Sequence, residues 1–122
     1  MSSVMNWSLD ARTPVRLLAH AAEAPPGAVV LAEDGAALPP GTARVERYAT
    51  PAATAHPIGC ACCQPRSPAA IALDRLFLAR MRGETPWFKE IVALAVTDAG
   101  RQAVLAALQQ DNVISARFRA EG

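Results

Sequence analysis

The sequence predicts an α/β fold: a small, mostly parallel sheet with flanking helices. Three observations predict it. Residues 28–32 (Ala28-Val29-Val30-Leu31-Ala32) form an apolar run without polar alternation, the pattern of a strand buried on both faces. All of the 10 prolines except Pro86 fall within residues 1–68, which restricts the first half to short strands and turns. From Ser67 onward the order is helix, buried strand, helix, which favours layering on a largely parallel sheet.

The elements follow in order. Residues 1–13 read as a loose arm. Val15-Arg16-Leu17-Leu18-Ala19, after Pro14, is a short first strand. Residues 20–27 end in Pro25-Pro26-Gly27 and have room for no more than one helical turn. The second strand, 28–32, is closed by Glu33-Asp34-Gly35. Ala43-Arg44-Val45-Glu46-Arg47-Tyr48 alternates and reads as a half-exposed edge strand. Residues 49–66 form a long loop with Pro51, Pro57 and Pro65, and loops of this length are usually functional or mobile.

Ser67 and Pro68 suit the cap and first position of a helix that Gly83 ends. Its expected inward stripe is Ile71, Leu73, Leu76, Phe77 and Met81, with Asp74, Arg75 and Arg82 in water. Ile91 to Val96 is the strongest strand signal, a central one. Thr97 or Asp98 can cap a helix from about Ala99 to Gln110, with Val104, Leu105 and Leu108 inward. Residues 112–119 suggest a short helix, with Arg117 and Arg119 solvated or favourably placed at its end. In a sheet so ordered the loops after residues 32, 48 and 96 share the carboxyl-terminal rim, where ligands bind in open α/β sheets.

Composition sets the bounds. The chain has 122 residues, 52% hydrophobic and 19% charged, a globular balance for a single domain over 1–122. Twelve basic and 11 acidic residues leave a net charge of +1, which gives no electrostatic footprint for nucleic acid or an anionic membrane. No apolar run approaches the length of a bilayer span. The first sixteen residues lack the order of a secretory signal, so the expected compartment is cytoplasmic.

All 3 cysteines lie within Cys60-Ala61-Cys62-Cys63. An odd number in such a chain argues against a disulfide framework. In an extended segment residues two apart point the same way at about 6.5 Å. Zn–S bonds of about 2.3 Å then let Cys60 and Cys62 share one ion, and a turn near Pro57 and Gly59 brings in Cys63. Thiolates select zinc, cobalt or cuprous copper. His56 is the nearest fourth ligand, and Glu33 or Asp34 could approach from the neighbouring strand end. Thiol redox chemistry and the absence of any special role are the competing readings. Adjacent or Cys-x-Cys bridges are strained, which weakens the first, while isolated cysteines are usually buried small hydrophobes. A thiol nucleophile at Cys62 would need His56 or His20 as base.

The segment Gly59-Cys60-Ala61-Cys62-Cys63 resembles the Gly-Cys-x-Cys-Cys hallmark of the CobW family of metal-insertion GTPases and metallochaperones. Leu73-Asp74-Arg75-Leu76 and Arg82-Gly83-Glu84 look like the helix after that hallmark. Ile91 to Thr97 looks like the strand carrying the family's Glu-Thr-(Ser/Thr)-Gly segment, and Val104 to Asp111 and Ala116 to Arg119 look like the family's next stretch. Thr13-Pro14-Val15 to Leu18 is similar to the family's first strand. Ala28 to Gly35 is similar to the strand ending in Asn-Glu-Phe-Gly-Glu, of which only Glu33 and Gly35 fit; the last glutamate falls on Ala36.

No Gly-x-x-x-x-Gly-Lys-(Ser/Thr) occurs, the sole lysine is Lys89, and residues 19–27 stand where the family has a phosphate loop and helix. The guanine-reading Asn-Lys-x-Asp is missing, and the next family strand is expected only beyond Gly122. The resemblance implies a truncated P-loop GTPase domain without the P-loop. It would be a non-enzymatic protein binding zinc or cobalt through Cys60, Cys62, Cys63 and His56 or Glu33, without GTP binding or hydrolysis. The alternative is an interaction partner that pairs with itself or with a full-length CobW-type GTPase.

Overall fold

The computed structural model describes residues 11–50 and 66–121. They form a small α/β fold. Strands β1 (Thr13–Leu18), β2 (Val29–Glu33), β3 (Arg44–Tyr48), β4 (Ile91–Leu94) and β5 (Phe118–Glu121) build one sheet in the order β3-β2-β4-β1-β5. Every pairing is parallel, with Val15 opposite Ile91, Val30 opposite Val92, Val29 opposite Arg44 and Thr13 opposite Phe118. Helices α1 (Pro68–Met81), α2 (Asp98–Gln110) and α3 (Asn112–Arg117) complete it, with a 3-10 turn at Ala21–Glu23.

Alternation along the buried strands makes two cores. Val29, Leu31, Ile91, Ala93 and Val15 point to the helical face, against Leu73, Leu76, Val104, Leu108, Ile114 and Phe118. Val30, Ala32, Val92 and Leu94 point to the other face, against Ala28 and Ala36 and the partly buried Ala21 and Ala24. No buried residue of α1, α2 or α3 belongs to that second cluster, and residues 19–28 carry the β1–β2 connection past β4 with only the 3-10 turn. β2 is buried at all five positions, as its unbroken apolar run requires. β3 is an edge strand, as its alternation predicts.

The helix ends obey their local chemistry. Ser67 accepts from the Ala70 amide at 3.2 Å, and Pro68 occupies the first position. At the other end Gly83 has φ +74°, its amide bonds the Arg80 carbonyl, and the Glu84 amide bonds the Ala79 carbonyl at 2.8 Å. This is a Schellman close, which needs a residue free to adopt positive φ.

Three expectations are corrected. The face of α1 that meets the core is Ala69, Ala72, Leu73, Leu76 and Ala79, and Met81, at the end of the helix, is 59% exposed. Leu73 and Leu76 of the expected stripe are in the core and Phe77 packs against it, but a stripe read from large residues alone misses the alanines and includes Met81. The strand expected to run to Val96 ends at Leu94, because the Val96 and Thr97 amides turn to the Glu33 carboxylate. The helix expected over residues 112–119 ends at Arg117, and β5 follows it directly. Phe118 turns extended (φ −132°, ψ 158°), is fully buried, and meets Phe77 edge-to-face with centroids 6.1 Å apart. Arg117 holds one of its two expected places, the last turn of α3, where positive charge is favourable. It pairs with Asp74 at 2.8 Å and lies 4.1 Å from the Phe77 ring centroid.

Candidate functional site

The parallel sheet brings the ends of β2, β3 and β4 to one rim, as expected for the loops after residues 32, 48 and 96. A single side chain ties them together. Glu33, the last residue of β2, is only 4% exposed. Its Oε1 accepts from the Val96 amide at 2.8 Å and the Thr97 amide at 3.0 Å. Its Oε2 accepts from the Thr97 hydroxyl at 2.7 Å and the Thr50 hydroxyl at 2.6 Å.

Burial alone would push this carboxyl up. The hydrogen bonds from Thr50, Thr97 and Val96 outweigh that and hold it below the usual carboxylate range. The charged state is therefore the resident one.

The arrangement is a capping box assembled across the fold. In the local form the helix's own third residue sends a carboxylate back to the cap amide. Here Thr97 caps α2 by accepting from the Gly100 amide at 2.9 Å, and the carboxylate on the Thr97 amide comes from β2. The third position is Gly100, and a Cβ built there would overlap the Glu33 carboxylate. Tyr48, buried at the end of β3, donates its hydroxyl to the Gly100 carbonyl at 3.0 Å. Burial, then the nearby Glu33 charge, push its phenol well above the ordinary tyrosine value.

The turn after Glu33 is held as firmly. The Ala36 amide bonds the Glu33 carbonyl at 2.9 Å, and Gly35 supplies φ +92°. Arg47 donates to the carbonyls of Glu33 and Ala36 at 3.2 and 3.1 Å. Asp34 is exposed beside it.

An ionised carboxylate offers about four lone-pair positions, and in Glu33 protein donors occupy four. Coordinating a metal through Glu33 requires at least one of these bonds, such as that from Thr50, to break. Among the described residues no group of three or more His, Cys, Asp or Glu side chains gathers to hold a metal ion. His56, Cys60, Cys62 and Cys63 lie outside the described residues. The segment that carries them departs at Thr50, which Glu33 holds, and returns at Arg66. Arg66 grips Asp111 through two bonds of 2.9 and 3.1 Å and approaches Asp74 at 3.6 Å.

The Thr97 cap is legible in the sequence. The roles of Thr50, Tyr48 and Gly100 are not, because each acts on a residue distant in the chain. Among the described residues no helix is long and apolar enough to cross a membrane. No family model matches the chain, and neither a curated protein nor a solved structure matches it.

Proposed function

We propose that the protein binds one zinc or cobalt ion through Cys60, Cys62 and Cys63, with His56 as fourth ligand, and carries out no catalysis of its own. The observation that carries this reading is the sequence Gly59-Cys60-Ala61-Cys62-Cys63, three thiols within four positions. Thiolates so close together favour a shared soft or borderline cation over a strained bridge. The tethering of Thr50 to Glu33 supports it, because the thiol segment departs from a braced carboxyl-terminal rim. Glu33 is then the brace at the base of that segment and not a ligand.

The resemblance to CobW-type metallochaperones supports the same chemistry. On that reading the chain is a truncated P-loop GTPase domain without the P-loop. The lack of a glycine-rich phosphate loop and of any lysine but Lys89 argues against nucleotide binding and hydrolysis. The role that remains is storage, sensing or hand-over of the ion. The test is elemental analysis of anaerobically isolated protein beside a Cys62→Ser variant. One metal per chain, much reduced in the variant, is expected; equal metal content in both would overturn the proposal.

A second reading has its own observation. Trp87 is 69% exposed, and a large exposed apolar side chain suits an interaction partner that pairs with itself or with a CobW-type GTPase. Against strand-to-strand pairing, the β3 edge carries Arg44, Glu46 and Arg47, charges that discourage it. Sedimentation of a variant lacking all three thiols separates the readings. A dimer that persists favours association, and a monomer favours the metal reading.

A further inference from the structure

We propose that a second, independent site lies at the opposite rim of the sheet: a pocket for a small-molecule oxyanion, held by Arg80 and Arg117 over Phe77. The hollow has a volume of about 580 Å³ and is lined by Ala11, Arg12, Thr13, Phe77, Arg80, Ala116 and Arg117. That volume is in the range of small-ligand sites. Among the described residues the wall holds three arginines and no acidic residue.

Arg80 dominates the chemistry of this hollow. Its guanidinium donates to the Thr13 hydroxyl at 3.2 Å and to the Phe88 carbonyl at 3.0 Å. It lies 4.4, 4.5 and 5.5 Å from the ring centroids of Trp87, Phe88 and Phe77. Among the described residues it meets no carboxylate, and its Nε is buried without a hydrogen-bond partner. Burial lowers its pKa, the mark of a cation held in poorly solvating surroundings.

Arg117 approaches the same Phe77 ring at 4.1 Å, and its one acidic contact among the described residues, Asp74, is shared with Arg66. Arg80 and Arg117 both sit in the last turn of a helix, where positive charge is favourable. That accounts for their charge. It does not account for two guanidiniums gathered on one ring around a hollow whose described lining carries no acid. Planar guanidiniums match phosphate and carboxylate oxygens, and the Phe77 face suits an apolar body attached to that group. The predicted ligand is an aromatic or apolar small molecule ending in a phosphate or carboxylate.

The test is titration of the full chain with phenyl phosphate, benzoate and inorganic phosphate, followed by backbone amide NMR. Saturable shifts centred on Thr13, Ala116 and Arg117 are expected. Preference for phenyl phosphate over benzoate assigns a phosphate ligand, the reverse assigns a carboxylate, and inorganic phosphate alone reports what the charge contributes without the ring. Arg80→Gln should weaken binding at least about tenfold, the loss of roughly one charge-assisted hydrogen bond. Arg117→Gln, away from the aromatic stack of Trp87 and Phe88, should do likewise if Arg80→Gln impairs folding. Arg101→Gln, on the exposed face of α2, should change nothing. Absence of saturable shifts with all three probes, or equal weakening by Arg101→Gln, would overturn the site.

Discussion

Gly100 lies against the Glu33 carboxylate so closely that no side chain fits between them. The contact joins the first turn of α2 to the end of β2 and fixes what each residue must be. Glycine inside a helix normally costs about 0.5–1 kcal/mol relative to alanine, so Gly100→Ala would stabilise an ordinary helix. Here it should destabilise by about 1–3 kcal/mol, the usual cost of overpacking. Urea unfolding decides on the sign alone: a raised midpoint would show that the carboxylate does not occupy that space.

Glu33 makes stability depend on pH in a defined direction. Its carboxyl is held below its unfolded value by donors from Val96, Thr97 and Thr50. The stabilisation is therefore fully present above the unfolded pKa, about 4.3. It is lost as pH falls through the lower folded value. Glu33→Gln should cost about 1–3 kcal/mol at pH 7, the cost of disturbing a buried charged hydrogen-bond group. The gap between the two proteins should narrow below pH 4. Parallel stability–pH curves would contradict this.

Asp111 does two tasks at the junction of α2 and α3. It caps α3 by accepting from the Val113 and Ile114 amides at 3.0 and 3.1 Å, and it receives the fork of Arg66. The Arg66 bond, then the helix amides and the Arg66 charge, overcome desolvation and lower its pKa. Asp111→Ala should lose about 1–2 kcal/mol, mostly the cap. Arg66→Ala, which leaves the cap but frees a partly exposed ion pair, should lose less, about 1 kcal/mol or under. Thermal unfolding of the two variants compares the effects; an equal loss would mean that the ion pair, not the cap, dominates.

Much of the fold is legible in the sequence because its signals are local. The run Ala28 to Ala32 can only be a strand covered on both faces, and Ser67-Pro68 and Gly83 mark α1 at both ends. β5 escapes a sequence reading because Phe118-Arg119-Ala120-Glu121 is short, lacks β-branched residues and follows a helix without a turn signal. Its parallel pairing with β1, with Thr13 opposite Phe118, and the burial of Phe118 against Phe77 mark it as part of the sheet. Periodicity places Met81 inward because it weighs large side chains, whereas the core face of α1 is mostly alanine. Glu33 stands out as a rim carboxylate, but its partners at positions 50, 96 and 97 are joined to it by the sheet order, which no local pattern encodes. The arginine pocket is of the same kind, since Arg80 and Arg117, far apart in the chain, both lie over Phe77.

The central claim is that Cys60, Cys62 and Cys63 grip one cation together. Anaerobic titration with cobaltous ion, followed through thiolate-to-cobalt charge-transfer absorption, tests it most directly. Saturation at one ion per chain is expected, weakening as pH falls because each thiol must lose a proton to bind, with the band diminished in Cys62→Ser. No charge-transfer band at saturating cobalt, with all three thiols still open to alkylation, would contradict the account.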